Sequence, residues 1–562
     1  MNSVVELLSA AADRQPNRTA LVTGKGSITF RDLWVAVDRC SNGMSAVGVR
    51  ESRSVVLALP NSLEFVVALF AILRLGAVAV PLDPRWRKRE LEAPIRECRP
   101  VLMISRHRFW HNDLGAALGD LGCTLSPRPA TCFVDAKVGG PPAEGSTSWE
   151  QLCSGTGATK LLQFDGGVAG EEAVVLYTSG VGDRPKSVRH SQQGLVACVR
   201  SLEETHKNYF AGKQRVRRIA KTLLKYRGRL LRPAMGRQIW FTPLSFHGIA
   251  GLSLLLQCLC TGQTLVTVEV FDPSRVLDLW ETQHVTTAAM SPSMAEHLLR
   301  AQRRKPSKTA SLLVLGLGSS PVRPELVGEL QDTFGCAVPV GYGSTELGGG
   351  VLATNITDSQ SVQANTVGRP FPGVEVRIVD ENGAGVPVGQ VGELWCRGGA
   401  LMLGYGGKDE GEGIDEDGWY HTKDLASIDV DGNVAILGRM SDLIIRGGKN
   451  VYAFEIEREL CEHPDILKAA VISLPDNYDE RVCAFIETRS KHPDVPEIRH
   501  FLSARLAAYK IPQEFRTIDD WPLSADEKIL KSVLRNRATL PESASESPSE
   551  LHVAGTDGDL AG

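Results

Sequence analysis

Short apolar runs alternate with helix-length segments along the first part of the chain. The run at 54–59 (SVVLAL) is followed by the segment 62–76 (SLEFVVALFAILRLG) and by a second run at 77–82 (AVAVPL). The same order recurs where 311–318 (SLLVLGLG) precedes 324–335 (PELVGELQDTFG). This alternation predicts an α/β fold with a parallel sheet that is covered by helices on both faces. Ligands of such sheets bind at the loops that follow the carboxyl ends of the strands.

The character of the sequence changes after residue 373. Residues 373–398 contain short strand-like runs joined by turns such as D-E-N-G, which predicts antiparallel β structure. A new alternation of strands and helices after Gly438 predicts a small α+β domain of about 100 residues. We therefore expect a large amino-terminal domain at 1–440, a small domain at 441–540 and a disordered tail at 541–562, which is rich in Ser, Glu and Gly.

The net charge argues against nucleic acid as a partner. The 562 residues carry a formal charge of −4, and 43% hydrophobic with 23% charged residues is ordinary for a globular protein. Residues 206–238 depart from this balance, because they hold eleven Lys or Arg and no Asp or Glu. Such a basic amphipathic segment could make peripheral contact with an anionic membrane or dock an acidic partner protein. It could equally be a solvated face that balances acidic surface elsewhere.

No segment is typical of a membrane span or of a secretory signal. The most apolar stretch, residues 65–82, is interrupted by Arg74 and ended by Pro81, so a buried helix and strand explain it better. The amino terminus lacks a basic region followed by an apolar region. The twelve cysteines occur singly, which favours a reducing compartment. We expect a cytoplasmic protein without a transmembrane segment.

Residues 176–191, LYTSGVGDRPKSVRHS, have the composition of a loop that binds phosphate. They continue an apolar strand, so backbone N–H groups at the strand end could converge on an anion. The candidate ligands are the hydroxyls of Thr178 and Ser179, the backbone of Gly180 and the ammonium of Lys186. The Walker pattern G-x-x-x-x-G-K-[ST] is absent. On composition alone, the segment could also be a plain flexible turn.

Four distant segments add to this interpretation. They are GYGSTE at 341–346, DGWYHTKD at 417–424, GRMSDLIIRGGKNVYAFEIE at 438–457 and WPLSADEKILKSVLR at 521–535. In this order they resemble the adenylate-forming superfamily, which includes acyl- and aryl-CoA synthetases, nonribosomal peptide adenylation domains and luciferases. The resemblance covers almost the whole chain. It implies stacked sheets in the large domain, a mobile small domain and an active site between the two.

The resemblance also implies a reaction in two steps. A carboxylate and ATP first give an acyl-adenylate and pyrophosphate, and a thiol then attacks the adenylate after the small domain rotates about a hinge near Ser441. The implied cofactors are ATP, Mg²⁺ and CoA, or the phosphopantetheine of an acyl carrier protein in place of CoA. We expect the pocket for the carboxylic acid around 246–252, 290–294 and 341–350, where small and aliphatic side chains suit a medium aliphatic or aromatic acid.

Most of the implied site residues contact the nucleotide. Asp424 matches the carboxylate that accepts hydrogen bonds from both ribose hydroxyls, and Arg439 matches the arginine that also contacts the ribose. Tyr342 matches the residue that stacks on adenine, although it could equally pack in the core. Thr345 matches the hydroxyl that contacts the α-phosphate. Small residues match the turns along the nucleotide and acyl pockets, namely Gly318, Ser319, Ser320 and Gly343.

Lys528 and His247 are the implied catalytic residues. A mobile lysine at 528 can bridge carboxylate and α-phosphate oxygens while charge builds up in the transition state. His247 matches the histidine beside the reacting carboxylate, although a lone histidine among apolar residues can also be structural. Glu346 matches the glutamate that helps to hold Mg²⁺, a hard cation that prefers carboxylate oxygen. Gly447 and Gly448 match the segment along the pantetheine tunnel.

The phosphate loop departs from the family pattern [ST]-S-G-T-T-G-x-P-K-G. Val181 and Gly182 replace two threonines, Asp183 replaces a glycine and Ser187 replaces the last glycine. Two like charges at a separation of about 4 Å repel by about 4 kcal/mol at an effective dielectric constant of about 20. An inward-pointing Asp183 would therefore weaken phosphate binding, whereas one that faces water or Arg184 would not.

Two further positions depart from the pattern while their neighbours do not. Lys423 and Glu527 stand where the family prefers glycine, yet Asp424 and Lys528 remain. We therefore interpret the loop as retuned in a working carboxylate–CoA ligase. Two alternatives stay open, a ligase that loads a carrier protein and a nucleotide- or acyl-binding protein with little catalysis.

Overall fold

The computed structural model of the chain divides into two compact units, residues 1–437 and 438–562. The predicted tail at 541–562 and almost all of the basic segment 206–238 lie outside the described residues. None of the described helices has both the length and the apolar character that a bilayer span needs. The described residues are 2–135, 146–154, 172–178, 185–209, 238–407, 413–476, 479–490, 492–523 and 529–539.

Helices and short strands alternate along most of the described chain. The strands are β1 (Thr19–Thr23), β2 (Gly26–Thr29), β3 (Ser54–Ala58), β4 (Val78–Pro81), β5 (Leu102–Ser105), β6 (Arg108–Phe109), β7 (Asn112–Asp113), β8 (Ala130–Phe133), β9 (Ser146–Ser148), β10 (Glu172–Thr178), β11 (Lys186–Ser191), β12 (Ile239–Thr242), β13 (Thr264–Thr267), β14 (Thr287–Met290), β15 (Val314–Leu317), β16 (Gly341–Ser344), β17 (Gly349–Ala353), β18 (Arg369–Pro370), β19 (Val374–Val379), β20 (Gly392–Gly398), β21 (Gly404–Tyr405), β22 (Tyr420–Ile428), β23 (Val434–Arg439), β24 (Leu443–Arg446), β25 (Lys449–Tyr452), β26 (Ile466–Asp476), β27 (Asp479–Thr488) and β28 (Glu514–Thr517). The α-helices are α1 (Val4–Arg14), α2 (Phe30–Ala46), α3 (Leu63–Arg74), α4 (Lys88–Cys98), α5 (Leu114–Cys123), α6 (Trp149–Cys153), α7 (Gln192–Tyr209), α8 (Ile249–Cys260), α9 (Pro273–Gln283), α10 (Pro292–Arg304), α11 (Pro324–Phe334), α12 (Gln360–Asn365), α13 (Ala453–Cys461), α14 (Val495–Ser503) and α15 (Lys531–Thr539).

The larger sheet has the strand order β21-β11-β10-β4-β3-β5-β8-β9. Its strands run parallel from β10 to β9, whereas β11 is antiparallel to both β10 and β21. Strands β3 and β4 coincide with the predicted apolar runs, and α3 begins between them where the Ser62 hydroxyl accepts the N–H of Phe65. Residues 65–73 of α3 are all buried, which explains why this helix is apolar on every side. The alternation predicted this part of the fold correctly.

The second sheet has the order β15-β14-β12-β13-β1-β2 and is parallel except for the β1–β2 pair. Helices α2, α3 and α8 share one hydrophobic core with strands of both large sheets, and Phe30, Phe65 and Leu256 are among its buried residues. Burial of apolar surface is the main driving force for folding. The shared core therefore holds the two sheets together within the first unit.

The antiparallel structure that the sequence predicts after residue 373 begins there with β19, and a smaller antiparallel sheet precedes it at β16. Strands β16, β17 and β18 form a three-stranded sheet, and β19, β20, β22 and β23 form a four-stranded sheet. In the predicted turn after β19, the Asp380 carboxylate accepts the N–H groups of Asn382 and Ala384. The α/β fold class, with a large amino-terminal domain and a smaller carboxyl-terminal domain, is confirmed.

The second unit is an α+β domain, and ion pairs attach the turn near its start to a helix. The sheet β26-β27-β28 packs against α13, α14 and α15. A 3₁₀ turn at Met440–Asp442 is bound to α15, because Asp442 accepts a hydrogen bond of 2.7 Å from Arg535 and lies 3.5 Å from Lys531. Burial alone would lower the pKa of Lys531, but the carboxylates of Glu457 and Asp442 outweigh it, so its pKa is raised.

Candidate active site

The predicted phosphate loop is flanked by the antiparallel strands β10 and β11. Strand β10 ends at Thr178, β11 begins at Lys186, and these two residues are paired. Ser179 and Gly180 lie outside the described residues. Because β10 runs parallel to β4, Thr178 lies at the carboxyl edge of the larger sheet. Ligands of parallel sheets bind at this edge.

One tyrosine contacts both Lys186 of the predicted phosphate loop and the predicted metal ligand Glu346. The ammonium of Lys186 lies 4.9 Å from the ring centroid of Tyr405, which is within the range of a cation–π contact. The hydroxyl of Tyr405 donates to Oε1 of Glu346 at 3.0 Å and lies 3.4 Å from the hydroxyl of Tyr420. The N–H of Met402 donates to the carbonyl of Glu346 at 2.8 Å. Both the side chain and the main chain of Glu346 are therefore held by one short segment.

Glu346 suits Mg²⁺ as a ligand. In nucleotide sites this ion typically takes one or two carboxylates, substrate phosphates and water. Oε1 of Glu346 accepts the hydrogen bond from the Tyr405 hydroxyl, so Oε2 is the oxygen that can coordinate a cation. No cluster of three or more His, Cys, Asp or Glu side chains forms a closed metal cage among the residues that the structure describes. A single carboxylate fits an ion that is shared with ATP better than a structural metal.

Tyr342 and Asp424 are joined by a hydrogen bond. The Tyr342 hydroxyl donates to Oδ2 of Asp424 at 2.5 Å, and Asp424 is only 6% exposed. The N–H of Asp424 donates to the hydroxyl of Thr422 at 3.0 Å. Burial and the neighbouring Asp424 carboxylate raise the pKa of the Tyr342 phenol, so the phenol keeps its proton and remains a donor. The structure thus brings the predicted adenine and ribose contacts together.

The small residues after β15 form a turn next to β16. The N–H of Gly318 donates to the carbonyl of Met290 at 3.3 Å, and a Cβ atom at 318 would lie 3.4 Å from the carbonyl oxygen of Gly341. Ser319 has a φ of 72°, a left-handed conformation that is uncommon outside glycine and concentrates at functional sites. Ser320 follows it and is half-buried.

The turn after β16 carries Thr345 and requires glycine at its start. The carbonyl of Thr345 accepts the N–H of Gly348 at 3.1 Å. A Cβ atom at Gly343 would lie 1.9 Å from the carbonyl oxygen of Gly349, so no larger residue fits without a backbone shift. This close approach fixes the backbone of the turn that carries Thr345, the predicted α-phosphate contact.

His247 contacts a buried carboxylate that sequence reasoning missed. Its Nε2 lies 3.4 Å from Oδ2 of Asp83, which is 2% exposed. Arg85 binds the same carboxylate through Nη2 at 2.8 Å and through Nε at 3.0 Å. Burial alone would raise the pKa of Asp83, but His247 and Arg85 outweigh it and lower the pKa far below its usual value. Asp83 is therefore ionised at neutral pH and can orient the imidazole ring.

The lowered pKa of Asp83 predicts a specific loss of stability in acid. A carboxylate whose pKa is lower in the folded than in the unfolded state stabilises the fold above the unfolded value, about 3.9 for Asp. That contribution is lost as the pH falls from about 4 toward the folded pKa. We expect Asp83→Asn to cost about 3 kcal/mol at pH 7, because it breaks a buried charge pair, and to cost less at pH 3.

Urea unfolding of the two proteins at both pH values measures this difference. Asp120→Asn is the matched control, because Asp120 pairs with Lys88 but is 64% exposed. Exposed ion pairs contribute little, so we expect no change at either pH. A constant difference between native chain and Asp83→Asn at the two pH values would contradict the prediction.

Asn61 holds the loop that carries His247. Its side-chain amide donates to the carbonyl of Leu244 at 2.9 Å and to the hydroxyl of Thr267 at 3.1 Å. Its side-chain oxygen accepts the N–H of Phe246 at 2.8 Å. Asn61 follows β3 of the larger sheet, whereas the loop follows β12 of the second sheet. The residue therefore connects the carboxyl edges of both sheets.

We expect Asn61→Ala to lower the free energy of unfolding by about 2–4 kcal/mol, because it leaves buried backbone groups without partners. Chemical denaturation of the full chain measures this loss. Asn365→Ala is the control, since Asn365 is exposed and a change there should stay within about 0.5 kcal/mol. Equal effects of the two substitutions would show that Asn61 does not hold this loop.

Two of the departures from the family pattern have a structural explanation. Lys423 has a φ of 59°, a left-handed conformation that explains the family preference for glycine at this position. Ser187 donates its hydroxyl to Oε1 of Glu97 at 2.5 Å. Asp183 and Glu527 lie outside the described residues.

The remaining predicted residues belong to the second unit. Arg439 ends β23 and is exposed. Gly447 and Gly448 form the turn between β24 and β25 with φ values of 56° and 70°, which suit glycine. Lys528 lies outside the described residues. The predicted roles of these four residues stay predictions.

Sequence reasoning missed Asn61, Asp83 and Tyr405. The first two follow the predicted strands at 54–59 and 77–82, so the rule that ligands gather at carboxyl edges could have indicated them. Tyr405 gave no comparable signal. Its position depends on the pairing of β21 with β11, which joins residues far apart in the chain.

Comparison with known proteins gives the same answer as the motifs. Residues 8–406 match the AMP-binding enzyme family, and residues 455–528 match the AMP-binding enzyme C-terminal domain. The chain is 29% identical over 542 residues to the medium-chain fatty-acid–CoA ligase of Escherichia coli (strain K12), covering 95% of this chain and 90% of that protein. It is 30% identical over 532 residues to a feruloyl-CoA synthase of an Amycolatopsis species, covering 94% of this chain and 97% of that protein.

Solved structures agree with this relationship. The crystal structure of ATP-bound MatB from Rhodopseudomonas palustris matches with a TM-score of 0.79 at 25% identity, covering 96% of this chain and 99% of that one. The matched family regions, the sheet topology and the ordered motifs therefore coincide along one chain, which belongs to the AMP-binding enzymes of the adenylate-forming superfamily.

Proposed function

We propose that the protein activates a carboxylic acid with ATP to an acyl-adenylate and then transfers the acyl group to the thiol of CoA. The observation that carries this proposal is the arrangement around Tyr405. An ammonium suited to phosphate and a carboxylate suited to Mg²⁺ contact the same aromatic side chain at the edge of the sheet. A tyrosine with only a packing role would not need contacts with both the ammonium of Lys186 and the carboxylate of Glu346.

The proposed chemistry balances without any further reagent. A carboxylate oxygen of the acid attacks the α-phosphorus of ATP. A bond between this oxygen and the α-phosphorus forms, and the bond between the α-phosphorus and the pyrophosphate oxygen breaks. The sulfur of CoA then attacks the acyl carbon, the C–S bond of the thioester forms, the bond between the acyl carbon and the AMP oxygen breaks, and the thiol proton passes to water. Mg²⁺, when bound at Glu346, supplies neutralisation of phosphate charge.

Each described site residue has a task in this scheme. In this proposal, Asp424 accepts the ribose hydroxyls and Tyr342, whose hydroxyl donates to that carboxylate, offers its ring for stacking on adenine. Lys186 binds phosphate oxygens. His247, oriented by Asp83, lies beside the carboxylate of the acid. Preorganised charges of this kind act without reorganisation when the transition state forms.

The side chains expected around the acid favour an apolar substrate. Phe246, Leu252 and Met290 are buried, and Ile249 is 8% exposed. We therefore propose a medium-length aliphatic or an aromatic carboxylic acid. The names of the two relatives, a medium-chain fatty-acid ligase and a feruloyl-CoA synthase, support both classes and support CoA as the acceptor.

The test is carboxylate-dependent exchange of pyrophosphate into ATP with a panel of aliphatic and aromatic acids, followed by thioester formation with CoA or with a phosphopantetheinylated carrier protein. We expect exchange with one class of acid and thioester with CoA. Exchange followed by transfer only to the carrier would replace CoA as the acceptor. ATP binding without exchange with any acid would overturn the ligase function in favour of a binding protein.

A further inference from the structure

Tyr405 occupies a position that the pairing of strands fixes closely. Strand β21 pairs with β11 so that Tyr405 lies opposite Val188, two residues after Lys186. The N–H of Gly406 donates to the carbonyl of Ser187 at 3.0 Å, which extends this ladder. Tyr405 is 8% exposed and packs with Leu347 and other residues of one hydrophobic cluster. The ring is therefore held on its apolar sides and cannot turn freely.

The polar contacts of this ring connect two parts of the nucleotide site. Its face lies under the ammonium of Lys186, with 4.9 Å between Nζ and the ring centroid. Its hydroxyl donates to Oε1 of Glu346 at 3.0 Å. A hydrogen bond to a carboxylate fixes the direction in which the second oxygen points. One side chain thus contacts both the predicted phosphate cation and the predicted Mg²⁺ ligand.

We propose that Tyr405 is a positioning residue for the pyrophosphate end of the ATP site, an inference that rests on the proposed function. Its ring supports Lys186 for contact with phosphate, and its hydroxyl orients Glu346 for contact with Mg²⁺. The two tasks use different parts of the side chain. Substitutions can therefore separate them.

Tyr405→Phe keeps the ring and removes the hydroxyl, whereas Tyr405→Leu removes both. The dissociation constant of ATP is measured by calorimetry on the full chain, in EDTA and in excess MgCl₂. The gain in affinity from MgCl₂ is expected to fall about 10-fold in Tyr405→Phe, because one charge-assisted hydrogen bond is lost. Its affinity in EDTA should stay within about two-fold of the native value, since the cation–π contact remains. The affinity of Tyr405→Leu for ATP in EDTA should also fall about five-fold, because the cation–π contact is lost.

Tyr509→Phe is the matched control, because its ring also lies under a lysine ammonium, 4.6 Å from Nζ of Lys449, but belongs to the second unit and contacts no residue of the predicted phosphate site. It should change neither affinity. A native-like gain from MgCl₂ in Tyr405→Phe would overturn the proposal. Equal losses of ATP affinity in EDTA for both Tyr405 variants would also overturn it. The same holds if the losses of affinity merely parallel a fall in the melting temperature of each variant.

The same experiment separates this inference from the proposed function. A native chain that binds ATP and exchanges pyrophosphate, together with an unaffected Tyr405→Phe, would overturn only the role of Tyr405. A native chain that binds no ATP in either condition would overturn both. We expect Tyr405→Phe to lose only the gain in ATP affinity from MgCl₂, and Tyr405→Leu to lose ATP affinity in EDTA as well. A residue with a purely structural role would not produce this difference between the two variants.

Discussion

Asp424→Ala is expected to lower kcat/KM for ATP in pyrophosphate exchange by about 100-fold or more. The carboxylate would accept two ribose hydroxyls, and hydrogen bonds to charged groups contribute about 1.5–3 kcal/mol each. The substitution also leaves the buried hydroxyl of Tyr342 without the acceptor that lies at 2.5 Å. Both effects weaken nucleotide binding in the ground state and in the transition state. We therefore expect the KM for ATP to rise more than kcat falls.

Steady-state exchange at varied ATP concentration measures this split. Asp431→Ala is the matched control, because Asp431 is an exposed carboxylate in the turn after the same strand. We expect its kinetics to equal those of the native chain. A fall in kcat at unchanged KM for ATP would show that Asp424 does not act through the nucleotide.

Lys528→Ala is expected to slow adenylation by about 10²–10³-fold, the loss typical when one preorganised charge is removed from a transition state. The family resemblance implies that Lys528 acts only in the first step and leaves the site before thiol attack. The rate of thioester formation from a supplied acyl-adenylate should therefore stay within about three-fold of the native rate. Pyrophosphate exchange and single-turnover thioester formation measure the two steps separately.

The second half-reaction is the internal control for folding of the Lys528→Ala protein. Equal losses in both steps would mean that the substitution disturbs the small domain as a whole. Unchanged exchange would exclude Lys528 as the adenylation lysine and would move attention to Lys186. Retained ATP binding is expected in the variant, since the other residues predicted to contact the nucleotide, such as Asp424 and Glu346, lie elsewhere in the chain.

Local sequence determined the secondary structure because periodicity and turn chemistry act over a few residues. The apolar runs at 54–59 and 77–82 became β3 and β4, and the segment between them became α3. The D-E-N-G turn formed where Asp380 could cap it. The motifs also sufficed to recognise the family, because several of them occur in the family's order along one chain.

Only the tertiary structure decided which of these residues meet. Asn61 bonds to Leu244 across 183 positions, and Tyr405 bonds to Glu346 across 59 positions. His247 follows β12 of the second sheet and Asp83 follows β4 of the larger sheet, so their contact joins the carboxyl edges of two different sheets. Contacts of this kind depend on strand order and register, which follow from packing of the whole core and not from any local pattern. The sequence therefore determined the elements and the family, whereas packing between distant strands decided which partners hold the site residues in place.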